Sequence, residues 1–153
     1  MTVYEKLLEE VDDNGLIVRE KPLSGSNGRI YKNRIAISNK LRTTTEKACV
    51  LSEELGHHYT TVGCILDQAD SQNRKQERQA RLWAYNKQIG LLGLIRAYEH
   101  GCRSRHEIAE YLEVTEDFLQ EAIECYRDKY GIGAIMDNYY IMFIPNLQIM
   151  KLI

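Results

Sequence analysis

The stretch of residues 49–58, Cys-Val-Leu-Ser-Glu-Glu-Leu-Gly-His-His, constrains the fold of this chain more than any other. Residues four apart lie on the same face of an α-helix. On a helix, Glu53 would therefore lie beside His57, and Glu54 beside His58. The sequence thus predicts a helix that carries two carboxylate–imidazole pairs and packs through its remaining face.

This predicted central helix has both a start signal and an apolar face. Thr43 and Glu46 have the spacing of a capping box, in which each side chain binds a backbone amide at the start of a helix. The apolar residues that recur along one face are Ala48, Leu51 and Leu55. We expect this face to anchor the helix, whereas the face with Cys49, Glu53 and His57 is free for chemistry.

Short strands are predicted before the central helix. An amphipathic helix near the N terminus is followed by a short apolar run at residues 15–19. Residues 28–31 and 34–37 flank the dipeptide Lys-Asn, which is the pattern of a β-hairpin. Together these segments predict a small sheet of about three short strands.

Helices and a final pair of strands are predicted after the central helix. The helices begin near residue 73 and continue at 91–100, 105–112 and 115–130. The last two of them are joined by a short turn, which is the spacing of a helix-turn-helix unit. Residues 139–144 and 147–153 are strand candidates separated by Pro145.

These elements predict an α+β fold. Residues 1–89 would form a core that consists of the central helix and a three-stranded sheet. Residues 90–131 would form a helical extension. Residues 132–153 would form a C-terminal strand pair that packs on the same single domain.

Composition narrows the class of protein. The 153 residues, 44% of them hydrophobic, and the formal net charge of −2 suit one compact soluble domain. No apolar run approaches the roughly 20 residues that span a bilayer, and the first residues lack the basic start of a secretory signal. We therefore expect a cytoplasmic protein without a membrane partner. The four cysteines form no Cys-x-x-Cys pair and are expected to be reduced thiols.

Charge argues against direct binding of nucleic acid. Phosphate binding generally needs a basic surface, and this chain is nearly balanced. The second helix of the predicted helix-turn-helix unit begins Thr115-Glu116-Asp117 and continues with Glu121 and Glu124. Such acidic side chains repel phosphate, whereas a recognition helix needs Arg, Lys, Asn or Gln. We expect this unit to pack against the core or to contact a protein.

Glu53 and His57 have the spacing of two metal ligands. In the helical pattern His-Glu-x-x-His, both histidines bind zinc and the glutamate between them is the general base. Here the chain has Glu53, Glu54 and His57 at the corresponding positions, so a glutamate replaces the first histidine. A carboxylate is also a zinc ligand. The alternative for Glu54 and His57 is an ordinary polar helix surface.

Four segments follow one another in an informative order. They are the strand at 34–37, Thr-Thr-Thr-Glu-Lys at 43–47, Glu-Leu-Gly-His-His at 54–58 and the helix Glu-Arg-Gln-Ala-Arg-Leu-Trp-Ala at 77–84. In this order they resemble the ImmA/IrrE family of metallo-endopeptidases, specifically its short versions in temperate phages and mobile elements. The resemblance covers about residues 28–131. It implies a minimal zincin-like core with a helical extension, and a hydrolase that cleaves or relieves a transcriptional repressor.

By position, the resemblance implies a role for each site residue. Glu54 would be the general base, His57 and Glu77 would bind the metal, and Glu53 would stand where the family has its first histidine. Two glutamates leave a zinc centre about neutral, so water there is less acidified. The oxygen-rich set also favours manganese more than the usual set does. We expect one divalent ion, zinc or manganese; the substitute ligands are His58, Asp67 and Cys49.

The strand before the central helix is a candidate substrate-binding element. In zincins, an edge strand beside the active helix pairs with an extended substrate. The residues of this strand are Arg34, Ile35, Ala36, Ile37 and Ser38. The alternative is a strand with a structural role only.

Two functions are compatible with these features. The first is a metal-dependent endopeptidase that cuts a transcriptional repressor of a phage or mobile element. The second is a catalytically inactive antirepressor, an interaction module that binds the repressor without cutting it. Glu53 distinguishes them, because a histidine at this position should raise zinc affinity only in the enzyme.

Overall fold

The computed structural model describes residues 1–60 and 70–152, without the side chains of residues 70–73. The chain divides into two compact units, Met1–Ala84 and Tyr85–Ile153, according to the contacts within each. Each unit contains helices and a small sheet, so the fold is mixed α and β, as predicted. The predicted domain limits at residues 89 and 131 stay predictions, because contacts do not test whether a segment folds on its own.

The first unit follows the predicted order of elements. Its elements are α1 (Val3–Asp13), β1 (Ile17–Lys21), β2 (Gly28–Tyr31), β3 (Arg34–Ser38), α2 (Thr44–Thr60) and most of α3 (Asp70–Gln88). The capping box of the central helix is confirmed, because Thr43 Oγ1 accepts a hydrogen bond from the Glu46 amide at 3.1 Å. The hairpin of β2 and β3 is also confirmed. Helix α3 already includes Asn73, where its start was predicted.

The sheet of this unit has the order β1-β3-β2. Strand β3 pairs in parallel with β1 and antiparallel with β2. The expectation that Arg34–Ser38 is an edge strand is therefore wrong. Because β1 and β2 take both sides of β3, its backbone groups are already used in the two ladders. Within the described residues, the free edges of this sheet belong to β1 and β2.

One face of this sheet packs against α1 and α2 and forms the core of the unit. Alternate residues of a strand point to opposite faces, so Ile35 and Ile37 share the core face of β3. The apolar face predicted for the central helix is confirmed, because its residues are at most 3% exposed; they are Ala48, Leu51 and Leu55. This packing fixes which face of α2 remains accessible.

The second unit combines helices with a second sheet. After the end of α3 it contains α4 (Gly90–His100), α5 (Arg105–Leu112), α6 (Glu116–Tyr130), β4 (Gly133–Met136), β5 (Tyr139–Met142) and β6 (Gln148–Lys151). The strands pair antiparallel in the order β4-β5-β6. The predicted C-terminal strand pair is thus a three-stranded sheet. Strand β4 was missed because it has four residues, begins with a glycine and directly follows a helix.

Local signals account for the helix boundaries in the second unit. Ser104 Oγ accepts a hydrogen bond from the Glu107 amide at 3.2 Å, and Thr115 Oγ1 from the Phe118 amide at 3.1 Å. These are N-caps, and they begin α5 and α6 where the sequence predicts them. In the part of the chain that the structure covers, each helix is too short or too polar to cross a membrane.

Candidate functional site

Helices α2 and α3 approach each other closely at one glycine. A Cβ atom on Gly56 would overlap the backbone carbonyl of Ala80. Gly56 and Ala80 are both buried, so solvent does not separate the two backbones here. The side chain that follows Gly56 is therefore brought next to the α3 turn before Ala80.

His57 and Glu77 meet at this approach. His57 Nε2 lies 3.3 Å from Glu77 Oε2, and the side chains are 30% and 44% exposed. Arg81, one turn further along α3, places Nε 3.3 Å from Glu77 Oε1. Each oxygen of the Glu77 carboxylate thus has a nitrogen partner. At this exposure the contacts contribute little to stability.

Glu54 is a partly buried carboxylate of α2. Burial raises its pKa to about 7, and the negative charges of Glu53 and Glu77 act in the same direction. Strand β2 covers it at Gly28, where an added Cβ would lie 2.9 Å from Glu54 Oε1. A carboxylate that titrates near neutrality can both accept and release a proton, as a general base must.

The other predicted site residues lie in different surroundings. Cys49 is only 6% exposed and belongs to the buried face of α2. His58 is exposed, and its ring centroid lies 4.9 Å from that of Tyr59 in an edge-on arrangement. Asp67 lies outside the described residues. On β3, Ile35, Ile37 and Ser38 are buried.

Two donor atoms of the site have a separation that suits a metal ion. Two ligands of a tetrahedral zinc ion, each about 2.0–2.1 Å from it, lie about 3.3 Å apart. The His57–Glu77 separation of 3.3 Å suits such a pair, and an imidazole with a carboxylate is suitable donor chemistry. Residues 1–60 and 70–152 contain no group of three or more His, Cys, Asp or Glu side chains arranged to hold an ion. Two donors thus converge, and the ligand set stays a prediction.

Sequence reasoning missed three residues that shape the site. Arg81 is one of them, although its spacing of four from Glu77 favours an ion pair. Gly56 in the middle of a helix was itself a signal of close backbone approach. No local signal pointed to Gly28 as a neighbour of Glu54, because the contact depends on how β2 packs on α2.

A protein-family model matches most of the chain. Residues 11–124 match the peptidase M78 family model, described as an IrrE N-terminal-like domain. The matched range contains α2 and the site residues on α3. No curated protein and no solved structure matches the chain.

Proposed function

Because this chain belongs to the ImmA/IrrE family of metallopeptidases, whose model it matches over residues 11–124, we propose that it is a metal-dependent endopeptidase. The single observation that carries the proposal is the approach of His57 to Glu77 beside Glu54, whose pKa is raised by burial. We further propose that the substrate is a transcriptional repressor of a phage or mobile element. That part rests on the resemblance of the sequence to short family members.

We assign the metal-binding role to His57, Glu77 and Glu53. The first two supply converging donor atoms, and Glu53 takes the position of the first histidine in the pattern His-Glu-x-x-His. A bound zinc or manganese ion would act as a Lewis acid and polarise the scissile carbonyl. The fold would then serve as a minimal zincin-like core.

Glu54 is the general base of the proposed reaction. It accepts a proton from the attacking water and returns one to the leaving amine. Burial raises the pKa of Glu54 in the metal-free protein, so its carboxylate is a stronger base than an ordinary glutamate. The negative charges of Glu53 and Glu77 add to this effect of burial.

The substrate segment would lie along β2. This strand pairs only with β3 among the described strands, so its other edge is free for an extended peptide. Its first residue, Gly28, is in contact range of Glu54. The edge of β2 therefore replaces Arg34–Ser38 as the proposed backbone partner of the substrate.

A second candidate function is the inactive antirepressor. Arg81 lies 3.3 Å from Glu77 and partly neutralises the carboxylate that a metal would need. A carboxylate that already has a cationic partner is a poorer ligand. In this alternative, the protein inactivates its repressor by binding alone.

Two measurements test the proposal together. Elemental analysis of the purified protein should find one divalent ion per chain. New protein N termini should appear in cells that produce the parent protein and be absent with Glu54→Gln, which preserves the shape of the side chain and removes its basicity. The matched control is Glu9→Gln, a change of an exposed glutamate on α1.

The outcomes separate the two functions. Cleavage by the Glu54→Gln protein would overturn the assigned mechanism. Release of the repressor without cleavage, unchanged in Glu54→Gln and without stoichiometric metal, would instead establish the antirepressor.

A further inference from the structure

The sheet of the first unit has an outer face that points away from its core. Val18, Ile30, Ile35 and Ile37 pack toward the core, so their neighbours along each strand point outward. We use the term outer face for these outward residues, which are Ile17, Arg19, Lys21, Arg29, Tyr31, Arg34 and Ala36. Glu54 and the proposed metal ligands lie on α2 and α3 instead.

The outer face is strongly basic. It carries four exposed cations and no carboxylate; the cations are Arg19, Lys21, Arg29 and Arg34. The one acidic residue of these strands, Glu20, binds Lys47 at 2.7 Å and is therefore engaged elsewhere. Among the described residues, none of the four cations has a carboxylate within ion-pair distance. In a chain of net charge −2, such a concentration of positive charge produces a local attractive field for anions.

The arrangement of the cations suits carboxylates. Arg19 and Arg29 lie on either side of Ala36, because β1 and β2 both pair with β3 at that residue. The small side chain of Ala36 leaves space between two guanidinium groups, within a shallow groove of about 380 Å³. Guanidinium groups bind carboxylates through two parallel hydrogen bonds. Arg29 is held in place by a hydrogen bond of 2.9 Å to the Ser24 carbonyl.

We propose that the outer face binds an acidic segment of a protein partner. Aspartate or glutamate side chains of that segment would contact Arg19, Arg29 and Arg34. The methylene groups of these side chains would cover Ile17. This proposal does not rest on the peptidase function, since it uses a different face of the unit.

A protein segment fits this face better than single-stranded nucleic acid does. Nucleic acid binds to several exposed aromatic side chains, on which successive bases stack. The outer face has one, Tyr31, and Lys32 Nζ already lies 5.4 Å from the centroid of its ring.

Fluorescence anisotropy with labelled peptides tests this proposal. The probe is a decapeptide of alternating glutamate and threonine, and the comparison peptide has glutamine in place of each glutamate. We expect the acidic peptide to bind at least about tenfold more tightly than the neutral peptide, and to lose affinity as salt increases. Equal binding of the two peptides would overturn the proposal, as would tighter binding of an oligothymidylate of equal length.

Variants locate the binding site. Arg19→Gln together with Arg34→Gln should weaken binding of the acidic peptide about tenfold or more. Among the described residues, neither side chain has a hydrogen bond or ion pair that holds another segment in place. Arg29→Gln with Lys21→Gln provides a second pair of changes. The matched control is Arg96→Gln with Arg105→Gln, which removes two exposed cations of the second unit. Equal weakening by the control pair would overturn the assignment to this face.

The peptide test is independent of catalysis. Glu54→Gln should bind the acidic peptide as tightly as the parent protein does, whether or not the parent is a peptidase. Each variant should be compared with the parent by circular dichroism, so that a loss of binding is not confused with unfolding.

Discussion

Gly56 of α2 lies against the backbone carbonyl of Ala80 in α3, and no side-chain carbon fits between them. A glycine inside a helix costs about 1 kcal/mol relative to alanine. Here that cost is offset by the close approach of the two helices. The same approach brings His57 Nε2 within 3.3 Å of Glu77 Oε2, so the geometry of the site depends on a residue without a side chain.

The first prediction is that Gly56→Ala destabilises the protein by about 1–3 kcal/mol. The new methyl group meets backbone, which cannot rotate away, so the gain in helix propensity is outweighed. Urea unfolding measures the change. The matched control is Gly93→Ala in α4, where the nearest atom to an added Cβ is a side-chain carbon of Leu112 at 3.6 Å. This control should be neutral or stabilising by up to about 1 kcal/mol; a similar gain for Gly56→Ala would contradict the prediction.

The second prediction concerns the pH dependence of stability in chelator-treated protein. The pKa of Glu54 is raised to about 7 in the folded state, from an ordinary value of 4.5. The folded state therefore binds the proton more tightly than the unfolded state does, and the protonated group stabilises the fold fully below pH 4.5. This contribution is lost as pH rises through about 7. We expect a loss of about 1–2 kcal/mol, less than the full shift would give, because Glu54 is partly exposed.

Glu54→Gln isolates this contribution. Glutamine does not titrate, so the stability of the variant relative to the parent should rise between pH 5 and pH 8. Unfolding by urea at both values measures the difference. Glu9→Gln, which removes an exposed carboxylate from α1, should not change its relative stability in this way. Parallel pH profiles for Glu54→Gln and the parent would mean that folding does not raise the pKa of the Glu54 carboxyl.

The elements that the sequence predicts correctly are those determined by residues close together in the chain. The starts of α2, α5 and α6 follow from capping residues, and the hairpin of β2 and β3 follows from its own alternation. The middle position of β3 was not predicted, since it depends on a parallel pairing with β1 that no short-range pattern encodes. The spacing on α2 placed Glu53, Glu54 and His57 together. The contact of His57 with Glu77 spans two helices, and Glu77 was identified only through the family resemblance.

The third prediction concerns Gly28, which lies over Glu54. An added Cβ would lie 2.8 Å from Val50 Cγ1 and 2.9 Å from Glu54 Oε1, and both atoms belong to side chains that can move. Gly28→Ala should therefore displace the carboxylate with little loss of stability, less than about 1 kcal/mol. If the chain is a peptidase, cleavage should slow about tenfold or more, because proton transfer depends on the position of the base. Cleavage rates and urea unfolding, measured on the same preparation, test both parts.

Ile30→Val provides the control for Gly28→Ala. It removes one methyl group from the same strand, at a residue that packs against the core, and costs about 0.5–1.5 kcal/mol. This change adds no atom beside Glu54, so cleavage should be preserved. If both variants slow cleavage equally, the effect comes from the stability of β2 and not from the position of the carboxylate.

The fourth prediction concerns Glu53, which takes the position of a histidine ligand. Glu53→His adds a neutral nitrogen donor four residues before His57, so both imidazoles lie on one face of α2. Zinc affinity should increase by about tenfold or more, which is 1.4 kcal/mol of binding free energy. Competition with a zinc chelator at pH 7.5 measures it. Glu53→Gln, which removes the carboxylate without adding an imidazole, should lower affinity.

The two functions differ in what Glu53→His can restore. In a working peptidase, replacing one of two carboxylates by imidazole leaves more positive charge on zinc, so the attacking water loses its proton more readily and cleavage accelerates. In an antirepressor, Glu77 remains paired with Arg81 and does not bind the metal. A histidine at position 53 would then have only His57 as a second ligand. Zinc affinity would then stay within about threefold of the parent value, and Arg81→Gln combined with Glu53→His would be needed to raise it. If Glu53→His alone raises zinc affinity but no cleavage occurs, the site binds metal without catalysing hydrolysis. The loss of activity would then be caused by a residue other than Glu53.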